Sequence, residues 1–170
     1  MARQLSTGDI YMSEVGEADW EELNRGGAGA NYGWPVVRGI TNNPLYTDPV
    51  HAYPHFPDGC AITGGSFYEP DIGQFPIEFH DKFFYGDHCF GWIAYVDVDT
   101  GIDTRFATGA SRLVEIKVHP LSGAVYYLDR EYANDQVGSR GGVGKIDYIG
   151  SEIEIQITRC LLYTSPSPRD

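Results

Sequence analysis

The side chains able to do chemistry are scattered along this chain, and their spacing limits what each can do. Histidines stand at His51, His55, His80, His88 and His119. His51 and His55 have the i, i+4 separation that puts two imidazoles on one helix face, as some zinc sites require. Pro49, Pro54 and Pro57 forbid a helix across them. No C-x-x-C, G-x-S-x-G or P-loop pattern occurs. Asp97-Val-Asp99-Thr-Gly101-Ile-Asp103 alternates carboxylates around a glycine, as the first half of a calcium loop does. No glutamate closes it, so it reads as a hairpin turn with solvated aspartates. Gly141-Gly142-Val143-Gly144 reads as preceding a strand rather than a helix, so it makes no phosphate cradle. Asn31-Tyr32-Gly33-Trp34-Pro35 follows the glycine- and alanine-rich run Gly26–Ala30 and reads as a turn in which Trp34 packs. Cys60 and Cys89 are either a bridge in an exported protein, stabilising by about 3–4 kcal/mol, or two buried thiols in a cytosolic one.

The elements that hold these groups are short and turn-rich. Among 170 residues, Gly (21) and Pro (10) punctuate the backbone, Tyr alone contributes 12, and only 21% are charged. That composition excludes a coiled coil and a disordered chain, and it allows one ordinary domain. No apolar run is long enough to span a bilayer. Twelve basic residues stand against 24 acidic ones, a net charge of −12, and the lysines are Lys82, Lys117 and Lys145. Such a surface repels a phosphate backbone, which argues against nucleic-acid partners.

Apolar–polar alternation predicts strands at Ile10–Val15, Gly65–Tyr68, Lys82–Tyr85, Trp92–Val98, Leu113–Val118, Ala124–Leu128 and Lys145–Ile149. Gly16–Arg25 is expected to form one or two helical turns with Asp19 as the cap. Gly8-Asp-Ile-Tyr11 is echoed by Gly123-Ala-Val-Tyr126, a turn feeding an apolar-tyrosine strand. Many short strands with an internal echo point to a sandwich, barrel or propeller. The last stretch, Arg159-Cys-Leu-Leu-Tyr-Thr-Ser-Pro-Ser-Pro-Arg-Asp170, breaks the pattern and resembles a translated sequencing adapter. Residues 1–158 are therefore expected to form the domain and 159–170 a non-native or disordered tail.

Seven segments, in order, carry a resemblance: GDIYMSEVG, WEELN, GANYGWP, ITGGSFYEP, FFYGDHCFGWI, LVEIKVHPLSGAVYYLDR and GGVGKIDYI. Together they resemble the glucose/sorbosone dehydrogenase family. The resemblance implies an all-β fold, a partial six-bladed β-propeller with antiparallel four-stranded blades, of which this chain is the last two and a half to three. It implies export to the periplasm or the extracellular space, and oxidation of an aldose or related sugar by hydride transfer to pyrroloquinoline quinone (PQQ) with calcium. Reduced cofactor would pass electrons to an acceptor such as a cytochrome or quinone. The family's catalytic base lies in an earlier blade, so no histidine here takes that role.

Residue by residue, Gly16 aligns with a carbonyl ligand of the cofactor calcium, and Glu17 stands where its ligand neighbour is usually proline. Arg112 aligns with the first of two arginines that hold PQQ. Val114 replaces the second, and Cys89 falls near a family lysine. Val36–Asn42 corresponds to a structural calcium loop, with Arg38 and Asn42 in place of better ligands. Cys60 and Cys89 resemble the branch in which this pair is a disulfide. The alternatives are a turn role for Gly16, a surface pairing of Arg112 with Glu115 or Asp129, and a non-catalytic propeller that binds carbohydrate or protein.

Overall fold

In the computed structural model, residues 1–110, 112–130 and 141–148 are described, together with the backbone of 155–162. Among these described residues, twelve strands form three four-stranded antiparallel sheets. The first sheet takes β1 (Ala2–Arg3), β2 (Ile10–Glu14), β3 (Trp20–Arg25) and β4 (His51–Pro54) in chain order. The second takes β5 (Ile62–Phe67), β6 (Phe83–Asp87), β7 (Ile93–Val96) and β8 (Asp103–Ala107), with a single 3-10 turn at Ile77–Phe79 before β6. The third takes β9 (Leu113–Val118), β10 (Val125–Arg130), β11 (Gly141–Tyr148) and β12 (Ile155–Leu162). Each sheet is a strand meander, and β5 packs on β9 and against β1 and β2. The first strands of successive sheets are thus neighbours, as in consecutive blades of a β-propeller.

The core lies in two layers between the sheets. Tyr11 and Leu23 of the first sheet meet Phe67, Phe83 and Tyr85 of the second, with Tyr53 and Trp92 beside them. On the other face, Phe84 and Ile93 of the second sheet meet Leu113, Ile116, Val125, Tyr127 and Ile146 of the third. Phe83 and Phe84 are both fully buried, on opposite faces of β6. A strand covered on both sides loses the polar alternation of a surface strand. That explains the continuous apolar run Phe83-Phe84-Tyr85.

The echo between Gly8–Tyr11 and Gly123–Tyr126 is structural: each segment opens the second strand of its sheet. Tyr11 is buried under the second sheet, whereas Tyr126 lies on the outer face of the third, half-buried.

Three local expectations are corrected. Gly16–Arg25 is not helical, because Trp20–Arg25 is β3, paired with both β2 and β4. Two ladders and the inward burial of Glu21 and Leu23 outweigh a weak helical pattern. Gly141-Gly142-Val143-Gly144 lies inside β11 rather than before it. A Cβ on Gly144 would fall within the Tyr127 ring on β10, so glycine here makes room for an aromatic neighbour. Trp34 is 64% exposed rather than packed. The turn is closed instead by Val36 and Val37 N–H groups donating to the Gly33 carbonyl, at 2.8 and 3.1 Å. Gly33, at φ 87°, has no room for a side chain beside Val37 and Tyr46.

The Asp97–Asp103 segment is the β7–β8 turn, with the Asp97 carboxylate accepting the Asp99 and Thr100 N–H groups. Arg159–Leu162, beyond the expected boundary at 158, pair with Gly141–Gly144 as the second half of β12. Ile149 and residues 163–170 lie outside the described residues.

Candidate functional site

The end of the sheets where β2 finishes and β5 and β9 begin collects most of the residues singled out above. Ser13 Oγ, near the end of β2, donates to the Gly64 carbonyl at 3.0 Å, and Thr63 Oγ1 donates to the Val114 carbonyl at 2.8 Å. These two bonds bring the same end of all three sheets together. Four connections converge there: the β2–β3 turn with Gly16 and Glu17, the β4–β5 loop with Cys60, the β6–β7 loop with His88–Gly91, and the β8–β9 loop ending at Arg112.

The β6–β7 loop is built around Asp87. Its carboxylate is fully buried. One oxygen accepts the Cys89 and Phe90 N–H groups, each at 2.9 Å. The other accepts the Cys60 and Ala61 N–H groups at 2.8 and 3.0 Å and the Tyr53 hydroxyl at 3.0 Å. Five donors converge on one carboxylate, so its charge is dispersed without a cation. Burial first, and then the Asp87 charge, push the Tyr53 phenol far above the ordinary tyrosine value, which keeps its proton in the bond to Asp87. Cys60 and Cys89 are joined in a disulfide across the same carboxylate, with Cα atoms 5.8 Å apart. Cys60, Asp87 and Cys89 cluster tightly enough to share a cation. With both sulfurs bonded to each other and both oxygens saturated by donors, the cluster is a structural clasp.

His88 follows Asp87 and is half-buried. Its N–H donates to the Ala61 carbonyl at 2.9 Å, and its Nδ1 lies 2.8 Å from the Leu113 carbonyl. The loop is also tied to the next sheet where Ala110 N–H donates to the Gly91 carbonyl at 3.0 Å. Gly91, at φ 64°, admits no Cβ against the Ala110 backbone.

Arg112 lies where β9 starts, with φ 54°, in the left-handed region that a non-glycine residue adopts at a cost of about 1–2 kcal/mol. Its carbonyl accepts the Arg130 N–H at 3.0 Å. Pairing jumps from Leu128↔Glu115 to Asp129↔Leu113, so Val114 is the extra residue of a β-bulge. Val114 is 47% exposed and Phe90 is 47% exposed at the same end. Glu115, a suggested partner of Arg112, pairs with Lys117 at 3.4 Å.

The β2–β3 turn has a different character. A Cβ on Gly16 would strike the Trp20 carbonyl, so the turn itself demands glycine. The Glu17 carboxylate is exposed and pairs with Arg38 Nη2 at 2.6 Å, while Arg38 Nη1 reaches Asp19 at 2.7 Å. Arg38 therefore supplies positive charge beside these carboxylates. In the Val36–Asn42 loop, Gly39 N–H donates to Glu22, and Thr41 and Asn42 N–H groups donate to Asp48. Those amide bonds, Thr41 first, hold the Asp48 carboxyl below its ordinary value. His51 and His55 are used in packing: His51 bridges the Gly101 carbonyl and the Tyr85 hydroxyl, and His55 pairs with the buried Glu21 at 2.9 Å.

Residues 1–136 match the sequence profile of the family described as Glucose / Sorbosone dehydrogenase. The chain belongs to the glucose/sorbosone dehydrogenase family. Solved structures agree on the fold. The PQQ-bound form of an aldose sugar dehydrogenase from Streptomyces coelicolor superposes with a TM-score of 0.65 at 17% identity, covering 86% of this chain and 41% of that one. A glucose dehydrogenase gives a TM-score of 0.61 at 25% identity, covering 74% and 39%. An oxidoreductase of the glucose dehydrogenase type from Thermus thermophilus gives 0.57 at 24% identity, covering 75% and 38%. The chain thus spans about two fifths of these relatives, as three blades of a β-propeller. No curated protein sequence gives a significant match. Among the described residues, no helix is long and apolar enough to cross a membrane.

Sequence reasoning singled out the cysteine pair, which is the disulfide, and through the family resemblance Arg112 and Gly16, which lie at this end of the sheets. It missed Asp87 and His88. Asp87 stands directly before a His-Cys pair in a tight turn, but nothing in that spacing states that five donors meet on it. The role of His88 depends on the Leu113 carbonyl, 25 residues away in sequence.

Proposed function

We propose that this chain forms part of the cofactor face of a PQQ-dependent dehydrogenase of aldoses or related sugars. The observation that carries the reading is Arg112, a cation held in a costly backbone conformation where β9 starts, beside the clasped β6–β7 loop. Strain of this kind persists only where the surrounding structure over-determines it, and it clusters at active sites and ligand clamps.

The residues fit an anionic planar ligand. Arg112 carries a guanidinium of the kind that suits a carboxylate, and Phe90 and Val114 present exposed apolar surface at the same end of the sheets. The fit to calcium rests on the Gly16 and Glu17 carbonyls, because the Glu17 carboxylate is engaged by Arg38. When bound, PQQ with calcium supplies the two-electron acceptor for oxidation of a sugar hydroxyl. The described residues bind and orient, while the base that takes the hydroxyl proton comes from outside this chain. The reduced cofactor would hand its electrons to a partner such as a cytochrome or quinone. The Cys60–Cys89 disulfide fits an oxidising compartment, so the working location is periplasmic or extracellular.

Equilibrium dialysis against micromolar PQQ with calcium tests the reading. Wild-type chain should retain PQQ, and Arg112→Ala should weaken retention about tenfold or more, the effect of one charge-assisted hydrogen bond. Equal retention by the variant would refute it. A second reading, a non-catalytic propeller that binds carbohydrate or protein, is favoured by Val114 and Cys89. One is apolar and the other locked in a disulfide, where family members carry cations. Absence of PQQ retention by the wild type would support that reading.

A further inference from the structure

We infer that the groove between the start of β3 and the Pro35–Arg38 segment is a carbohydrate-binding site that takes neutral pyranose rings and needs no cofactor. The groove has a volume of about 480 Å³ and is lined by Asp19, Trp20, Pro35, Val36, Arg38 and Phe56. Small-molecule sites are commonly of this size. Its walls are partly aromatic: Trp20 is 38% exposed and Phe56 78% exposed, and Trp34, which precedes Pro35, is exposed as well. Apolar surface gathered in one place and rimmed by polar groups marks a binding groove. Here the rim is Asp19 and Arg38. None of these residues belongs to the Arg112 loop or to the Asp87 clasp.

The groove is formed before a ligand arrives. Trp20 pairs with Pro54 across β3 and β4, and the His55 N–H donates to the Asp19 carbonyl at 2.8 Å, which holds the segment carrying Phe56 to the start of β3. Gly39 backs the indole, since a Cβ there would come within 3.0–3.2 Å of three atoms of the Trp20 ring. Chemistry then selects the occupant. Arg38 bonds Asp19 through Nη1 at 2.7 Å and Glu17 through Nη2 at 2.6 Å, so each carboxylate is already paired and the groove offers no lone charge to an ion. Directional hydrogen bonding is left over. Among the described residues Arg38 Nε has no partner and Asp19 Oδ1 accepts no hydrogen bond. A pyranose matches this combination: its C–H faces lie against aromatic rings, and its hydroxyls donate to a carboxylate and accept from a guanidinium. A wholly apolar segment would cover Asp19 and Arg38 without satisfying them. A second copy of this chain would bring the same net charge of −12, which opposes pairing.

The probes are maltohexaose and cellohexaose, titrated calorimetrically into the chain without PQQ, with hexagalacturonate as the anionic control. At least one neutral hexamer should bind, and the anion should not. Phe56→Ala removes an exposed ring, so it should keep the thermal midpoint and weaken binding about tenfold. A measurement on unmutated protein covers the case in which the variant misfolds: the Trp20 indole N–H signal should move in NMR on adding the hexamer, while that of the buried Trp92 stays in place. Four results overturn the inference: no binding of either neutral hexamer, tighter binding of the anion, an unmoved Trp20 signal, or a folded Phe56→Ala that binds as wild type does. Concentration-dependent dimerisation that Phe56→Ala abolishes would give the groove to a second copy and overturn it too. The PQQ reading fails separately. A chain that binds a hexamer but retains no PQQ loses only that reading, and one that retains PQQ but binds neither hexamer loses only this site.

Discussion

Replacing Asp87 with asparagine is the sharpest probe of how this end of the sheets is held. Five donors meet the carboxylate at 2.8–3.0 Å, two on one oxygen and three on the other. An amide has the same shape but one acceptor oxygen, and its nitrogen brings two hydrogens. Whichever way it sits, at least two backbone N–H groups face an NH2 group. A hydrogen bond to a charged group contributes roughly 1.5–3 kcal/mol, and a buried donor left without an acceptor costs about 1–3 kcal/mol. Losing two such bonds therefore destabilises by about 3–5 kcal/mol. Urea denaturation followed by tryptophan fluorescence measures this directly, since Trp92 lies in the same layer and its Nε1 donates to the Asp58 carbonyl of the β4–β5 loop at 2.7 Å. The slope of free energy against urea should stay constant while the midpoint falls. A loss below about 1 kcal/mol, measured with the disulfide intact, would refute the argument that the carboxylate charge organises these loops.

Other changes follow from the same structure. Lys82, foremost, and the turn amides hold the Asp97 carboxyl below its ordinary value, as amides do for Asp48. Depressed carboxylates stabilise above the unfolded value of about 3.9 and lose that contribution as pH falls through the lower folded value. The thermal midpoint should therefore drop as pH goes below about 4, and Lys82→Met should flatten that drop; an identical acid profile in the variant would contradict the assignment. Gly144→Ala forces a methyl into the Tyr127 ring and should destabilise by about 1–3 kcal/mol, whereas Gly29→Ala, which meets open space, tests only the cost of positive φ. An unfolding midpoint for Gly144→Ala equal to wild type would show that the third sheet adjusts freely.

Several features were legible from sequence because they depend on near neighbours along the chain. Leu113–Val118 was bounded as found, since the period of a half-buried strand is written in consecutive residues. The Asp97–Asp103 turn declared itself through its aspartates and Gly101. β3 did not, because Glu21 is an acidic residue that turns inward only when His55 and the Ile62 N–H are brought to it from elsewhere. Trp34 was misjudged for a related reason: an aromatic side chain packs only if some other segment covers it.

Composition, turn chemistry and ordered motifs by themselves pointed to an all-β chain of the glucose/sorbosone dehydrogenase family with a cysteine pair. Tertiary structure alone decided that Asp87 gathers five donors, that Arg38 takes the carboxylate of Glu17, and that His88 is tied to the residue next to Arg112. Apart from the Cys89 and Phe90 amides beside Asp87, these are contacts across 21 to 34 residues of chain. Local periodicity carries no record of such contacts, because long-range hydrogen-bond partners are set only when the sheets stack.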